Sequence, residues 1–286
     1  MTRLLLAALM LCAAPPAAHR RSPYVGALSM NAETGRVLYE QNADAEAYPA
    51  SVTKLMTLLL VLEDVQEGRY TLDTRVTATA DVYKSEPSAV GIKVGQSMTV
   101  DDLLTSLMVK SANDAAIALG VHASGSLEAF VERMNRRAAS LGMTRTRYYN
   151  PNGLPPKKRN ATSAFNVTTC RDQAKLARLL VKMPQVFRYT SVKVGTVTDG
   201  SGNPLKFVNH NNLMVKDKLK VLNPDGSEAV DGLKTGYIDA GGSSIVLTGR
   251  RGGHRAIVVV LGSASSAERD ENAGRLLADA LGALCW

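Results

Sequence analysis

The chain is poor in the residues that build metal centres and nucleic-acid surfaces. Its 286 residues include only three cysteines and four histidines. His19, His122, His210 and His254 are scattered, and no C-x-x-C or H-x-x-H spacing occurs. A local metal site is therefore not expected, and no cofactor is called for. No motif around the histidines suggests a Ser-His pair. Aromatic residues make up 5% of the chain and the basic residues are dispersed, which argues against nucleic acid as a partner. Internal repeats and low-complexity linkers are missing too, so a solenoid or an array is excluded.

Long apolar runs are equally scarce. The one at the start, Arg3 followed by "LLLAALMLCAA" and then "PPAAHRRS", is too short to span a bilayer. It has the basic, apolar and small-residue order of a secretory signal, so residues 1–21 are set apart from the fold. Cys12 raises a lipoprotein alternative, against which Leu11 stands where a small residue is wanted. Export places the mature chain in an extracytoplasmic or periplasmic compartment with no integral membrane segment. The formal charge of +8 loses three with Arg3, Arg20 and Arg21, leaving +5. That balance suits anionic cell-wall polymer or lipid head groups, or simply a solvated basic surface. Cys170 and Cys285 remain, far apart in sequence. Oxidising surroundings would permit a disulfide, while two buried free thiols is the favoured reading.

What is present is ample core material, with 45% hydrophobic and 21% charged residues, enough for one large domain or two small ones. "YVGALSMNAETGRVLYEQN" carries two β-prone runs, Ala27 to Met30 and Arg36 to Tyr39, around a turn at Gly35. Helical patterns dominate from Ser51 to about Met183, with end signals at Thr99, Gly142 and Pro184. Strand patterns return after position 185 in "FRYTSVKVGTVTD", "VDGLKTGYI", "SSIVLTGR" and "HRAIVVVLGS", the last two joined by "RGG". "ENAGRLLADALGAL" closes the chain as a helix. The expected class is α+β, one antiparallel sheet built from both chain ends with a helical insertion. Nothing after Gly262 marks a second domain, and the final helix has no Lys-rich, aromatic membrane-binding face.

Three short stretches can carry chemistry. In "ASVTKLMTLLLVLEDVQEG", Ser51 and Lys54 lie three residues apart and share a helical face. Serine is a weak nucleophile, and lysine serves as its base only with a lowered pKa, which burial against the following apolar turns and a nearby cation would provide. Taken alone, S-x-x-K is more often a helix cap beside a solvated lysine. "VKSANDAA" puts Ser111 and Asn113 between two helical patterns, where both can point into a cleft. "VDGLKTGYI" sets Lys234, Thr235 and Gly236 on a strand, where glycine permits close approach to the backbone.

In this order, with Ala112 where Asp is usual, the three match the S-x-x-K, S-D-N and K-T-G set of penicillin-binding proteins and class A β-lactamases. The chain resembles, more closely, the low-molecular-weight penicillin-binding proteins of the serine-type D-alanyl-D-alanine carboxypeptidase family. "YPASVTKLMT", "SANDAAIAL", "FVERMN", "NPNGLP", "NHNNLM" and "DGLKTGYIDAGG" carry the likeness, although the family often has His where Asn152 stands. The resemblance implies a transpeptidase-like catalytic domain over residues 22–286, without the C-terminal β-rich domain the family often has. It implies Ser51 as acylated nucleophile, Lys54 as base, Ser111 as proton relay and Asn113 as a holder of Lys54 and substrate. Lys234 would add positive potential, Thr235 and Arg269 would bind the terminal carboxylate, and the N–H groups of Ser51 and Tyr237 would form the oxyanion hole. Peptidoglycan stem peptides would be the substrate and β-lactams covalent ligands. Arg269 also has a plain local reading, paired with Glu268 or Asp270. The alternatives are a D,D-endopeptidase of the same family and a catalytically silent wall-binding protein. A class A β-lactamase is disfavoured because no E-x-x-L-N segment supplies a deacylating glutamate.

Overall fold

The computed structural model describes residues 22–84, 88–156 and 164–285, so the expected signal lies outside the described residues. The chain opens with the expected hairpin, β1 (Gly26–Asn31) and β2 (Val37–Gln41). A 3₁₀ turn (Ala50–Thr53) runs directly into α1 (Lys54–Gln66). The small pair β3 (Arg75–Thr77) and β4 (Ser97–Thr99) precedes α2 (Val100–Thr105), which continues as a π-helical turn over Ser106–Lys110. Three helices follow, α3 (Asn113–Ser124), α4 (Leu127–Ser140) and α5 (Cys170–Leu180). Thr99, Ser126 and Thr169 cap α2, α4 and α5, each accepting a backbone N–H three residues on. Such caps contribute about 1 kcal/mol each.

One strand expectation is overturned. "FRYT" falls in α6 (Pro184–Thr190), not in a strand, and extended chain begins only at β5 (Val194–Thr198). Pro184 takes the first helical position, where its fixed φ favours a helix and its missing N–H costs nothing. Val186, Tyr189 and Thr190 then bury one face at helical spacing. β6 (Pro204–Val208) pairs with β5, and the short α7 (Asn212–Val215) leads to β7 (Val230–Ile238), β8 (Gly242–Arg251) and β9 (His254–Ser263). The closing helix, α8 (Ser266–Leu284), starts earlier than its apolar pattern suggests, because Ser265 caps it by accepting the N–H of Glu268.

The main sheet has the order β2-β1-β9-β8-β7, antiparallel throughout, so both chain ends build it as expected for the α+β class. Alternation along β9 explains why "AIVVVL" is apolar at every position. Val258 and Val260 face α8, with Ala273, Leu276 and Leu277, while Ile257, Val259 and Leu261 join the larger core around α1 and α5. A strand covered on both faces needs no polar positions. Cys170 and Cys285 are free thiols, as favoured, but only Cys170 is buried; Cys285 is exposed at the end of α8. Among the described residues no helix is long and apolar enough to cross a membrane.

Two ion pairs fix α1, which carries Lys54, against α4. Asp64 is fully buried and accepts from both terminal nitrogens of Arg133 (2.7 and 2.5 Å) and from Tyr70 Oη (3.1 Å), while Glu63 accepts from Arg137 (3.0 and 2.6 Å) nearer the surface. Removing one partner of a buried pair leaves the other uncompensated. Asp64→Ala is therefore expected to lower stability by about 3–5 kcal/mol, and Glu63→Ala by at most about 1 kcal/mol, as read by urea unfolding of the two variants.

Candidate active site

The site forms where the 3₁₀ turn, the α2–α3 junction, a loop at 150–154 and the edge strand β7 converge. Its centre is the side-chain nitrogen of Lys54, which is fully buried at the start of α1. Nζ lies 2.8 Å from Ser51 Oγ, 2.7 Å from Asn113 Oδ1 and 2.8 Å from the backbone oxygen of Asn152. Two of these three partners are carbonyl oxygens, which only accept. A neutral amine has two N–H donors and one lone pair. Given to the two carbonyls, the N–H groups leave the lone pair directed at the Ser51 hydroxyl.

The electrostatics favour that neutral form. Burial pushes the Lys54 pKa well below the ordinary lysine value, and the charge of Lys234 lowers it further, against an opposing pull from Asp114. The desolvation of a buried cation is the dominant cause. Serine, amine and lone pair are thus arranged as a nucleophile and its base.

Two glycines let backbone close around Ser51. Gly236 of β7 packs on the 3₁₀ turn so closely that a Cβ there would meet Pro49 O at 2.6 Å and the Ser51 nitrogen at 3.0 Å. Gly153, at φ +85°, lies against the other side, and a Cβ would overlap the carbonyl oxygen of Ala50. Between them Ala50 itself is held at φ 49°, a left-handed conformation that costs a non-glycine residue about 1–2 kcal/mol. Ser51 thus sits on a turn held in a sparsely populated backbone region. Ser111, at φ 60°, is the second non-glycine residue of the site in this conformation, at the end of the π-helical turn.

The sequence-expected residues come together here. Ser111 and Asn113 are buried at the α2–α3 junction, and Lys234 and Thr235 are buried on β7. Lys234 Nζ donates to the Thr235 carbonyl (3.0 Å), and burial together with the Arg269 charge brings its pKa down to about 7. Tyr237 exposes its side chain, whose hydroxyl donates to Asp239. Arg269 is buried in the first turns of α8 and donates from Nε (2.8 Å) and Nη2 (2.6 Å) to Asp270 Oδ1. The local pairing with Asp270 is made, on a buried side chain, and the guanidinium also acts on Lys234.

Several contributors carry no local sequence signal. Asn152 takes part through its backbone oxygen, and its side chain accepts from Leu154 N (2.9 Å), which removes the objection that the family often has His there. Thr57 Oγ1 donates to Pro151 O (2.8 Å). Asn166 Nδ2 donates to Thr53 Oγ1 (3.0 Å), while its Oδ1 accepts from Tyr149 N (2.7 Å), bracing the 150–154 loop to the turn before Lys54. Asp114, buried beside Asn113, accepts backbone N–H groups from Val90, Gly91, Ile92 and Ala115.

Lys234 gives a pH test. Between its folded value of about 7 and the ordinary 10.5, the unfolded chain binds a proton that the folded protein does not, so this group makes stability rise with pH. In Lys234→Met that contribution is gone. Urea unfolding between about pH 7.5 and 9 should show wild-type stability rising more steeply than the variant's, by up to about 1.4 kcal/mol per pH unit. Equal slopes would mean that Lys234 keeps its proton on folding.

Residues 18–265 match the family model described as D-alanyl-D-alanine carboxypeptidase. D-alanyl-D-alanine carboxypeptidase DacF of Bacillus subtilis is 30% identical over 251 residues, covering 88% of this chain and 60% of the relative. The chain thus spans about 60% of the length of the curated relatives it matches. Among solved structures, a peptidoglycan synthesis regulatory factor (PBP3) from Streptococcus pneumoniae superposes with a TM-score of 0.80 at 30% identity, over 90% of this chain and 73% of that one. Penicillin-binding protein D2 from Listeria monocytogenes in its ampicillin-bound form gives 0.73 at 30% identity, over 90% and 97%. With the match to the family model covering residues 18–265, up to the start of α8, the chain belongs to the D-alanyl-D-alanine carboxypeptidase family of penicillin-binding proteins.

Proposed function

We propose that the protein is an exported serine-type D-Ala-D-Ala carboxypeptidase that trims peptidoglycan stem peptides through an acyl-enzyme and is acylated by β-lactams. The observation that carries this reading is the three-way setting of Lys54 Nζ, with two carbonyl acceptors and the Ser51 hydroxyl at 2.7–2.8 Å. Ser51 Oγ attacks the carbonyl carbon of the penultimate D-Ala as its proton passes to Lys54. The developing oxyanion is held by the N–H groups of Ser51 and Tyr237, where preorganised donors act most strongly. Ser111 relays a proton to the departing amine, the C–N bond breaks, and water then attacks the ester with Lys54 as base. Asn113 fixes Lys54 and the substrate amide.

Thr235, Lys234 and Arg269 receive the terminal carboxylate. Asp270 occupies Nε and Nη2 of Arg269, which leaves Nη1 for an incoming anion. Gly236 contributes by having no side chain, so that the substrate and the 3₁₀ turn can both approach β7.

Covalent labelling tests the chemistry. Intact-mass analysis with peptide mapping after benzylpenicillin treatment should place one long-lived adduct on Ser51. Lys54→Arg should abolish it, because a guanidinium keeps its proton and cannot act as base. An adduct on another serine, or normal labelling of Lys54→Arg, would overturn the assignment. Digestion of purified muropeptides should release terminal D-Ala, whereas loss of cross-linked dimers instead would make the protein an endopeptidase. Arg269→Ala should slow turnover of a D-Ala-D-Ala peptide strongly and of its C-terminal amide little. Equal losses would confine Arg269 to its pair with Asp270.

A further inference from the structure

The K-T-G segment lies on β7, the edge strand of the main sheet, so its register is set by the ladder with β8. That ladder is interrupted near its start. Val230 stands opposite Gly249 and Gly232 opposite Thr248, which leaves Asp231 as the extra residue of a β-bulge. Every later pair depends on it. With the bulge, Gly236 pairs with Ser244. Counted on from Val230 and Gly249 without it, Thr235 would take that place. A Cβ at Gly236 would meet Pro49 O at 2.6 Å and the Ser51 nitrogen at 3.0 Å. A slip of one residue would therefore drive a side chain into the turn that carries Ser51, and it would turn Lys234 and Thr235 to the opposite faces of the sheet.

One side chain fastens this bulge. Arg255 of β9 is buried and reaches past β8, where its two terminal nitrogens donate to the Asp231 carboxylate at 2.8 and 2.7 Å. Nη1 also donates to Oγ1 of Thr248 (2.9 Å), the residue paired with Gly232. The guanidinium thus joins the extra residue to the strand against which β7 is aligned. Helix α6 closes the arrangement. The centroid of the Phe187 ring lies 4.4 Å from Cζ of Arg255, and Thr190 sits so near Gly232 that a Cβ there would meet its Oγ1 at 2.9 Å. A two-pronged guanidinium–carboxylate pair fixes orientation as well as distance, which a single ammonium does not.

We propose that Asp231 and Arg255 are positioning residues for the reaction: their pair holds the bulge, and the bulge sets the register in which Lys234, Thr235 and Gly236 meet Ser51. The proposal rests on the reading of β7 as the substrate-binding strand of a carboxypeptidase. It adds two residues that act on the site only through that strand.

Arg255→Met and Asp231→Ala test it through two independent readouts. Hydrogen exchange followed by mass spectrometry should show peptides covering residues 230–238 exchanging about tenfold faster in either variant, with those covering α5 unchanged. The second-order rate constant for acylation of Ser51 by benzylpenicillin, measured where urea unfolding shows the variant folded, should fall about thirtyfold. The double variant should fall no further, because the two residues act as one unit. A pair that serves stability alone would lower the urea midpoint and leave folded protein acylating at the wild-type rate. That result overturns the proposal, and so does unchanged exchange in 230–238. If Arg255→Met does not fold, Arg255→Lys and Asp231→Asn, which weaken the pair and keep much of its bulk, should show both changes in smaller measure, and wild-type behaviour of both overturns the proposal. A wild type that takes no penicillin overturns the carboxypeptidase reading instead, and the exchange of 230–238 then decides whether the pair holds the strand.

Discussion

Everything at the site depends on a buried lysine that has two carbonyl acceptors and one hydroxyl within 2.8 Å and no carboxylate among its hydrogen-bond partners. An ammonium in that position could donate to all three but would lose its hydration at large cost. A neutral amine gives its two N–H groups to the carbonyls and turns its lone pair to the Ser51 hydroxyl. The carbonyls come from parts of the chain far from α1: Asn113 begins α3, and Asn152 belongs to the 150–154 loop. Both must be placed to within a few tenths of an ångström, and the rest of the helical region serves that placement. The Asp64–Arg133 pair holds α1 against α4. Thr53 and Thr57, on the same helical turns as Lys54, tie the loop through Asn166 and Pro151.

Backbone proximity sets the second constraint. Ser51 sits in a 3₁₀ turn between Gly236 and Gly153, and neither could carry a side chain without moving that turn. The left-handed Ala50 is held from both sides, since a conformation that costs about 1–2 kcal/mol persists only where its surroundings determine it. The glycine of K-T-G is therefore needed on packing grounds alone, before any ligand is considered. Gly153 has the same necessity, although its segment was read only as part of a family likeness.

What the sequence displayed, and what it hid, divides along the range of the interactions. Alternating apolar residues in β7 to β9 and the hairpin at Gly35 are local signals, and the antiparallel sheet from both chain ends follows from them. Ser51, Lys54, Ser111, Asn113 and Lys234 were legible because each sits in a short motif. Asn166 and Asp114 were not, since an asparagine in a turn-rich segment looks the same whether it braces a neighbouring loop or faces water. α6 was misread because β-branched and aromatic residues outweighed Pro184 as a start signal. The exposure of Cys285 follows from its place at the last turn of α8, which spacing does not reveal. Arg269 pairs with Asp270 as its local sequence suggests, while its effect on Lys234 spans two distant segments and has no local signal.

The charges of the site act on one another in sequence from its far end. A guanidinium does not lose its proton in proteins, so Arg269 stays charged and, after burial itself, is what lowers Lys234. Lys234 is in turn the cation that lowers Lys54. Two carboxylates limit this effect in different ways. Asp270 holds Arg269 directly and is itself held by Asn212 Nδ2 at 2.7 Å. Asp114 opposes the shift of Lys54, yet its oxygens are occupied by backbone N–H groups from Val90, Gly91, Ile92 and Ala115. It therefore acts on Lys54 through space and offers no free oxygen to compete with Ser51 for the amine.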